Sequence, residues 1–402
     1  MAVPEKTVCV MGLGYIGLPM ASLLGTKGYT VYGVDTVPEV VETINQGHIH
    51  IVEPDLDILV RSAVNSGNLR AALEPCEADI FVIAVPTPFK EGHEPDLSYV
   101  ESAVHRIVPY VRPGNLIVLE STSPVGTTDG IVARILRDAG HDVDDEVYVA
   151  HCPERVLPGR ILTELVENDR IVGGINEAST DAAAAFYGTF VRGEVFKTDS
   201  RTAELTKLVE NAYRDVNVAF ANELSMICDE SGINVWELIS LANRHPRVNI
   251  LQPGPGVGGH CIPVDPWFIV HQAPRLARLI RTAREVNDAK PEWVVRRVKE
   301  RASKFRHPVI ACLGLAFKPD VDDLRNSPAV SIVEALQQAG IGEVLVSEPN
   351  IHDHESFTLL PYQEAVSRAD IVVLLVDHRE FRSLRAADLK EKILIDTRGV
   401  VT

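Results

Sequence analysis

Two α/β sheets joined by a helical middle are predicted for this chain, on three observations. Short runs that are apolar throughout alternate with amphipathic stretches from Thr7 to Leu119. A helical spacing of apolar residues then continues without Gly or Pro from Arg201 to Ser231. Strand-and-helix alternation resumes at Val309. Strands that are apolar at every position belong in a parallel sheet covered on both faces.

In chain order, Thr7–Met11, Thr30–Val34, Asp79–Val85 and Leu116–Leu119 read as strands with helical patterns between them. Leu205, Leu208, Val209, Ala212, Val216, Ala219 and Leu224 then mark one extended helix. More helix is expected over Val235–Asn243, and over Arg275–Phe305 with a break at Pro291. Val309–Leu313, Val344–Val346, Ile371–Val376 and Ile393–Ile395 are the strands of the second sheet.

At 402 residues the chain is too long for one ordinary core of roughly 100–200 residues. Its composition, 46% hydrophobic and 24% charged, is that of a folded globular protein. A net charge of −17 repels phosphate backbones and anionic lipid, so neither nucleic acid nor membrane is an expected partner. No apolar run is long enough to span a bilayer. Residues 1–6 carry no basic and apolar leader pattern before the first strand, so a cytoplasmic location is expected. Cysteines stand singly at 9, 76, 152, 228, 261 and 312 with no C-x-x-C pair, so neither a disulfide framework nor a metal site is expected.

Gly12-Leu13-Gly14-Tyr15-Ile16-Gly17 follows the first strand and opens a helix. In that setting G-x-G-x-x-G binds a dinucleotide. Gly12 makes the turn, Gly14 admits the pyrophosphate, and Gly17 lets helix pack on strand. The helix N-terminus adds free N–H groups and partial positive charge. Asp35 closes the second strand, where its carboxylate can accept from both ribose hydroxyls and repel a 2′-phosphate, favouring NAD over NADP. Gly254–Gly259 matches the same pattern, but no strand precedes it and a cysteine follows.

Gly258-Gly259-His260-Cys261, with Asp265 four residues on, puts a thiol on a loop that backbone or ligand can approach closely. Cys261 reads either as a nucleophile or as a cysteine buried in a turn; zinc ranks third, because no second ligand pair has the right spacing. Lys207, Asn211 and Arg214 share one helix face, which is either a catalytic face or a solvated one. Arg247, in His245-Pro246-Arg247, is either an anion fork or a surface arginine.

Taken together, these segments resemble the nucleotide-sugar 6-dehydrogenases, over essentially the whole chain. The resemblance rests on the glycine turn through Pro19, Pro86-Thr87-Pro88, and Ser121-Thr122-Ser123-Pro124-Val125-Gly126. It continues through Pro153-Glu154-Arg155, Lys207 with Asn211, the Gly-Gly-His-Cys loop, Phe317-Lys318, and Asp323-Leu324-Arg325-Asn326-Ser327. Cys152–Gly159, Arg244–Asn249 and Gly259–Trp267 are most similar to the UDP-N-acetyl-D-mannosamine branch; UDP-glucose members tend to carry Tyr or Phe where this chain has His260.

The resemblance implies an NAD-binding Rossmann domain over 1–200, a central helical dimerisation and catalytic region over 201–303, and a UDP-binding Rossmann-like domain over 304–402. It implies a homodimer in which Arg247 would reach the neighbouring subunit's substrate. It implies NAD on Gly12, Gly14, Tyr15, Ile16, Gly17, Asp35, Thr87, Thr122 and Arg325. The UDP-N-acetylhexosamine would meet Arg155, Val156, Lys207, Asn211, Arg214, His245, Arg247, Gly258, Phe317 and Lys318. Lys207 would act as acid/base, Asn211 as oxyanion donor and Cys261 as nucleophile, with Asp265 and Glu154 handling the hydrolytic water. The competing expectations are another sugar (UDP-N-acetylglucosamine or UDP-glucose), a single-step β-hydroxyacid dehydrogenase, and a nucleotide-sugar sensor without catalysis.

Overall fold

The computed structural model describes residues 6–401; residues 1–5, part of the segment read for a leader, lie outside them. Two compact units divide the chain, 1–209 and 210–402.

The first unit is built on an eight-stranded sheet. Its strands are β1 (Thr7–Met11), β2 (Thr30–Val34), β3 (Leu69–Ala72), β4 (Ile80–Ile83), β5 (Leu116–Leu119), β6 (Tyr148–His151), β7 (Arg170–Gly174) and β8 (Val195–Asp199). They lie in the order β3-β2-β1-β4-β5-β6-β7-β8. Side chains alternate faces along each strand. Val8 and Val10 pack with Leu18 and Leu24 on one side, while Cys9 and Met11 pack with Phe81 and Ile117 on the other. This two-sided burial explains why the strands carry no polar alternation. The sheet is parallel except for one pair: β7 runs antiparallel to β6, with Ala150 opposite Gly174 and His151 opposite Gly173. The four strands read from the sequence, β1, β2, β4 and β5, are parallel as expected; the antiparallel pair lies beyond them.

The helix Gly17–Thr26 follows the glycine turn, and the helix Ile161–Glu167 follows the loop after β6. The helix Glu177–Tyr187 connects β7 to β8. The long helix Ser200–Ser231 continues across the boundary at 209–210.

In the second unit, the helices Val235–Ala242, Asp265–Gln272 and Arg278–Ala302 precede a four-stranded parallel sheet. Its strands β9 (Val309–Leu313), β10 (Glu343–Ser347), β11 (Ile371–Leu374) and β12 (Ile393–Asp396) lie in the order β10-β9-β11-β12. The helix Arg278–Ala302 runs unbroken through Pro291, contrary to the expected break. Pro291 approaches Gly256 so closely that a Cβ there would lie 3.2 Å from its Cγ, so tertiary packing holds the proline in a helix.

The long helix also corrects the sequence pattern. Leu208, Ala212 and Ala219 are buried, but Leu205 and Val209 are exposed together with Tyr213, Phe220 and Ile227. Its buried face carries Glu204, Asp215 and Asn222 among the apolar residues. Among the described residues no helix is long and apolar enough to cross a membrane.

Candidate active site

The glycine turn lies where β1 meets its two parallel neighbours, β2 and β4. Gly12 has φ +93°, and a Cβ there would lie 2.6 Å from Ala84 O. A Cβ on Gly17 would lie 1.8 Å from Gly12 O, so helix and turn touch backbone to backbone. Gly14 meets nothing within 4 Å and faces open space. The helix that follows has no side-chain cap and no acid in its first turn; Leu18 N donates to Gly14 O at 3.1 Å and Pro19 has no N–H, so what it offers an anion is chiefly the positive end of its dipole. Asp35 accepts from Leu13 N and Val37 N, both at 3.0 Å, so the turn and the carboxylate expected at the ribose are tied together. Thr87 donates through Oγ1 to Thr122 O at 2.6 Å, joining the two threonines expected at the cofactor. The cradle fits a dinucleotide: space at Gly14, a helix N-terminus with no acid in its first turn, and a fixed acceptor at Asp35.

Glu204 was not singled out from sequence. Its buried carboxylate accepts from Gly126 N, Thr128 N and Thr128 Oγ1 at 2.5–2.7 Å. Burial pushes its pKa up, against those hydrogen bonds. It anchors the first turn of the long helix to the Ser121–Gly126 loop, one turn before half-buried Lys207. The usable signal is an acid placed at helical spacing on an otherwise apolar face.

Asn211 follows Lys207 by one turn on the same helix. Its Nδ2 donates to Asp265 Oδ2. Asp265 is buried and begins the helix Asp265–Gln272, and its backbone N–H donates to Cys261 O at 2.9 Å. Cys261 is only half-buried, which removes the reading of a cysteine sealed in a turn. Cys9, Cys152 and Cys312 are by contrast fully buried, and burial pushes each thiol up to about 12. The glycines before Cys261 are required by packing. Gly259 has φ +88°, and a Cβ on Gly258 would lie 2.7 Å from Asn326 O and 2.8 Å from Phe317 Cβ. Gly259 N donates to Arg325 O at 3.0 Å, and Asn222 Oδ1 accepts from Gly254 N at 2.8 Å. Asn222, also missed from sequence, thus fixes the start of the loop.

The 317–326 segment is held from both ends. Glu348 Oε2 accepts from Leu315 N, Ala316 N and His378 Nε2 at 2.7–3.0 Å. Burial would raise this carboxyl, but hydrogen bonds from His378 and from backbone N–H groups outweigh it and bring its pKa down to about 2. Phe317 N donates to Asp323 O, and Arg325 pairs with the Asp323 carboxylate. Phe317 and Lys318 are half-buried on the resulting turn.

Beyond β6, Glu154 is buried and pairs through Oε2 with Arg170 Nη1 at 3.1 Å. Its other oxygen accepts from Arg155 N at 2.5 Å. Glu53 accepts from Gly159 N and Ile161 N, both at 2.8 Å, fixing the far end of the segment that carries Glu154, Arg155 and half-buried Val156. Arg214, His245 and Arg247 are exposed. The loop bearing the last two is closed by the Asn243 side chain, which bonds Ile250 N at 2.7 Å and Ile250 O at 3.0 Å. No cluster of three or more metal-ligating side chains occurs among the described residues.

A dinucleotide turn in one unit, and in the other a half-buried cysteine beside an Asn–Asp pair, define a nicotinamide-dependent oxidoreductase. Comparison with known proteins sharpens this. Three domains of the UDP-glucose/GDP-mannose dehydrogenase family match: the NAD binding domain over residues 6–191, the central domain over 201–289 and the UDP binding domain over 311–402. The NDP-N-acetyl-D-galactosaminuronic acid dehydrogenase of Ralstonia nicotianae is 59% identical, with 98% of this chain and 96% of that protein covered. The UDP-N-acetyl-D-mannosamine dehydrogenase of Yersinia pestis is 53% identical, with 98% and 99% covered. The solved UDP-N-acetyl-mannosamine dehydrogenase from S. aureus superposes with a TM-score of 0.91 at 43% identity, covering 99% of this chain and 96% of that one. The chain belongs to the UDP-glucose/GDP-mannose dehydrogenase family. It is an NAD-dependent nucleotide-sugar dehydrogenase. The matched UDP binding domain is the part that a single-step β-hydroxyacid dehydrogenase would leave unexplained.

Proposed function

We propose that this enzyme oxidises C6 of UDP-N-acetyl-D-mannosamine from alcohol to carboxylate through a cysteine thioester. The observation that carries the reading is the hydrogen bond from Asn211, one turn along the helix from Lys207, to Asp265 in the first turn after Cys261. That bond ties an amide donor and a carboxylate to the cysteine loop. NAD, when bound, supplies the hydride acceptor for each of the two successive oxidations. Lys207 takes the hydroxyl proton as C6 is first oxidised, and Asn211 donates to the oxygen that gains charge. The Cys261 thiolate adds to the aldehyde carbon, giving a thiohemiacetal that still carries a hydrogen on C6. Loss of that hydrogen as hydride leaves a thioester. Water then adds to its carbonyl carbon, the water proton passes to a carboxylate (Glu154 or Asp265), and the C–S bond breaks to return the thiolate.

Lys318 and Arg155 offset the diphosphate charge, with Val156, Gly258 and Phe317 lining the site and Arg214, His245 and Arg247 serving the sugar. Arg325 completes the cofactor contacts. The three-segment division at 201 and 304 places NAD binding first, dimerisation and chemistry second, and UDP binding third. A homodimer is supported by the exposed apolar stripe of Tyr213, Phe220 and Ile227, which are 73%, 52% and 51% exposed. Exposed Arg247 is then free to serve the other subunit.

The manno sugar is supported by the Yersinia pestis and S. aureus relatives and by the Arg244–Asn249 segment. A galacto substrate is the second reading, favoured by the Ralstonia relative at 59% identity. A panel of UDP-sugars with NAD decides. Two NADH per UDP-N-acetyl-D-mannosamine, with little from the gluco and galacto epimers or UDP-glucose, is expected. Preferential turnover of the galacto epimer would reassign the sugar and leave the chemistry standing.

A further inference from the structure

β9 lies between β10 and β11, so the strand order reverses at its carboxyl end. In an open parallel sheet, the crevice outside such a reversal is where ligands bind. Residues 315–320, which carry Phe317 and Lys318, begin two positions past β9.

One imidazole holds both ends of this segment. His378 lies four residues past β11 and is fully buried. Its Nδ1 accepts from Asp320 N at 2.9 Å. A backbone N–H can only donate, so the ring hydrogen sits on Nε2. Nε2 donates to Glu348 Oε2 at 2.9 Å, the same oxygen that accepts from Leu315 N and Ala316 N. Asn350 steadies both partners: its Nδ2 donates to His378 Nδ1 at 2.9 Å and to Glu348 Oε1 at 3.1 Å.

Asp320 has φ +60°, a left-handed conformation uncommon outside glycine. Two contacts hold it there. Its carboxylate accepts from Arg379 N at 3.0 Å, and its own N–H is bound by His378. Pro319 carries the constraint back to Lys318. The proline ring fixes φ and keeps the preceding residue out of the helical region, so the Lys318 backbone has little freedom once Asp320 is fixed.

We propose that His378 is a positioning residue for UDP-sugar binding: through Asp320 N and Pro319 it sets Lys318 in place for the diphosphate. The proposal rests on the reading that Lys318 meets that diphosphate. Arg325, expected at the cofactor, is held apart from this clamp by the Asp323 carboxylate and by Gly259 N, which donates to Arg325 O. Loss of the clamp should therefore weaken UDP-sugar and leave NAD alone.

The test measures KM for NAD, and for the UDP-sugar that the wild type turns over, in H378Q, H378N, K318A and the double variant H378Q/K318A. In H378Q the amide nitrogen takes the place of Nε2 at Glu348, but nothing replaces Nδ1. In H378N the side-chain oxygen takes the place of Nδ1. H378Q should raise KM for UDP-sugar about tenfold with KM for NAD unchanged, the loss expected when a charged contact is loosened. H378N should recover most of that loss. K318A should raise the same KM, and H378Q should add nothing to it, because a residue that acts through Lys318 has no effect once the ammonium is gone. A K318A KM equal to that of the wild type would take Lys318 away from the diphosphate, and this inference with it. A weakened K318A would overturn the inference alone if H378Q left the UDP-sugar KM unchanged, raised both KM values alike, or added its full loss to K318A. An H378N variant as weak as H378Q would also overturn it.

Discussion

Lys207 is half-buried one turn ahead of Asn211, on a helix whose register is set at Glu204. A general acid/base contributes about 10²–10⁴ in rate. Lys207→Ala should therefore lower kcat by that range, and a loss under tenfold would assign the proton to another group. Asp35 works at the same scale through its carboxylate, which already accepts from Leu13 N and Val37 N. Asp35→Ala should raise KM for NAD and narrow the preference over NADP; an unchanged ratio of the two would move ribose recognition elsewhere. Residues of this kind are legible in sequence where local pattern and chemistry coincide. A glycine turn after an apolar strand, or an acid closing one, needs no knowledge of distant contacts. Glu204, Asn222 and Arg170 are not legible in that way, because each acts on backbone or side chains dozens of residues away or across a strand register.

The elements follow the same logic. β1, β2, β5 and β9 fall on the apolar runs that predict them, because most of their positions are buried on one face or the other. β7 opens on Arg170 and ends on two glycines, and β8 carries Lys197 and Asp199, so neither shows an apolar run. Their place at the end of the sheet, and the antiparallel turn of β7, come from pairing rather than from their own residues. The start of the long helix is likewise held by a distant contact. Replacing Glu204 by Ala leaves Gly126 N and the Thr128 donors without their buried acceptor. The expected cost is about 3 kcal/mol, from hydrogen bonds to a charged group and the stranded donors. Thermal denaturation should show a lower Tm, and KM for NAD should rise as the Ser121–Gly126 loop loosens. An unchanged Tm would show that the loop is held by other contacts.

At the scale of the whole molecule, the long helix presents two faces. Lys207 and Asn211 lie on one; Leu205, Val209, Tyr213, Phe220 and Ile227 lie about half a turn away and are exposed. A row of large apolar side chains left in water on a helix is unfavourable for a monomer, and this is the ground for the proposed homodimer. Phe220→Asp should shift the mass measured by light scattering from dimer to monomer. A wild type that is already monomeric at micromolar concentration would contradict this assembly. Sequence periodicity cannot separate the two apolar faces, since the stripe against the core and the stripe against a partner have the same spacing.

The account turns on a covalent bond between Cys261 and C6 of the sugar, and uronate release by Cys261→Ser tests it most directly. The variant should bind UDP-sugar and NAD with affinities close to those of the wild type, yet release no uronate in the time the wild type needs to consume its substrate. Release of uronate by the serine variant at the wild-type rate, with two NADH per sugar, would contradict a thioester on this residue.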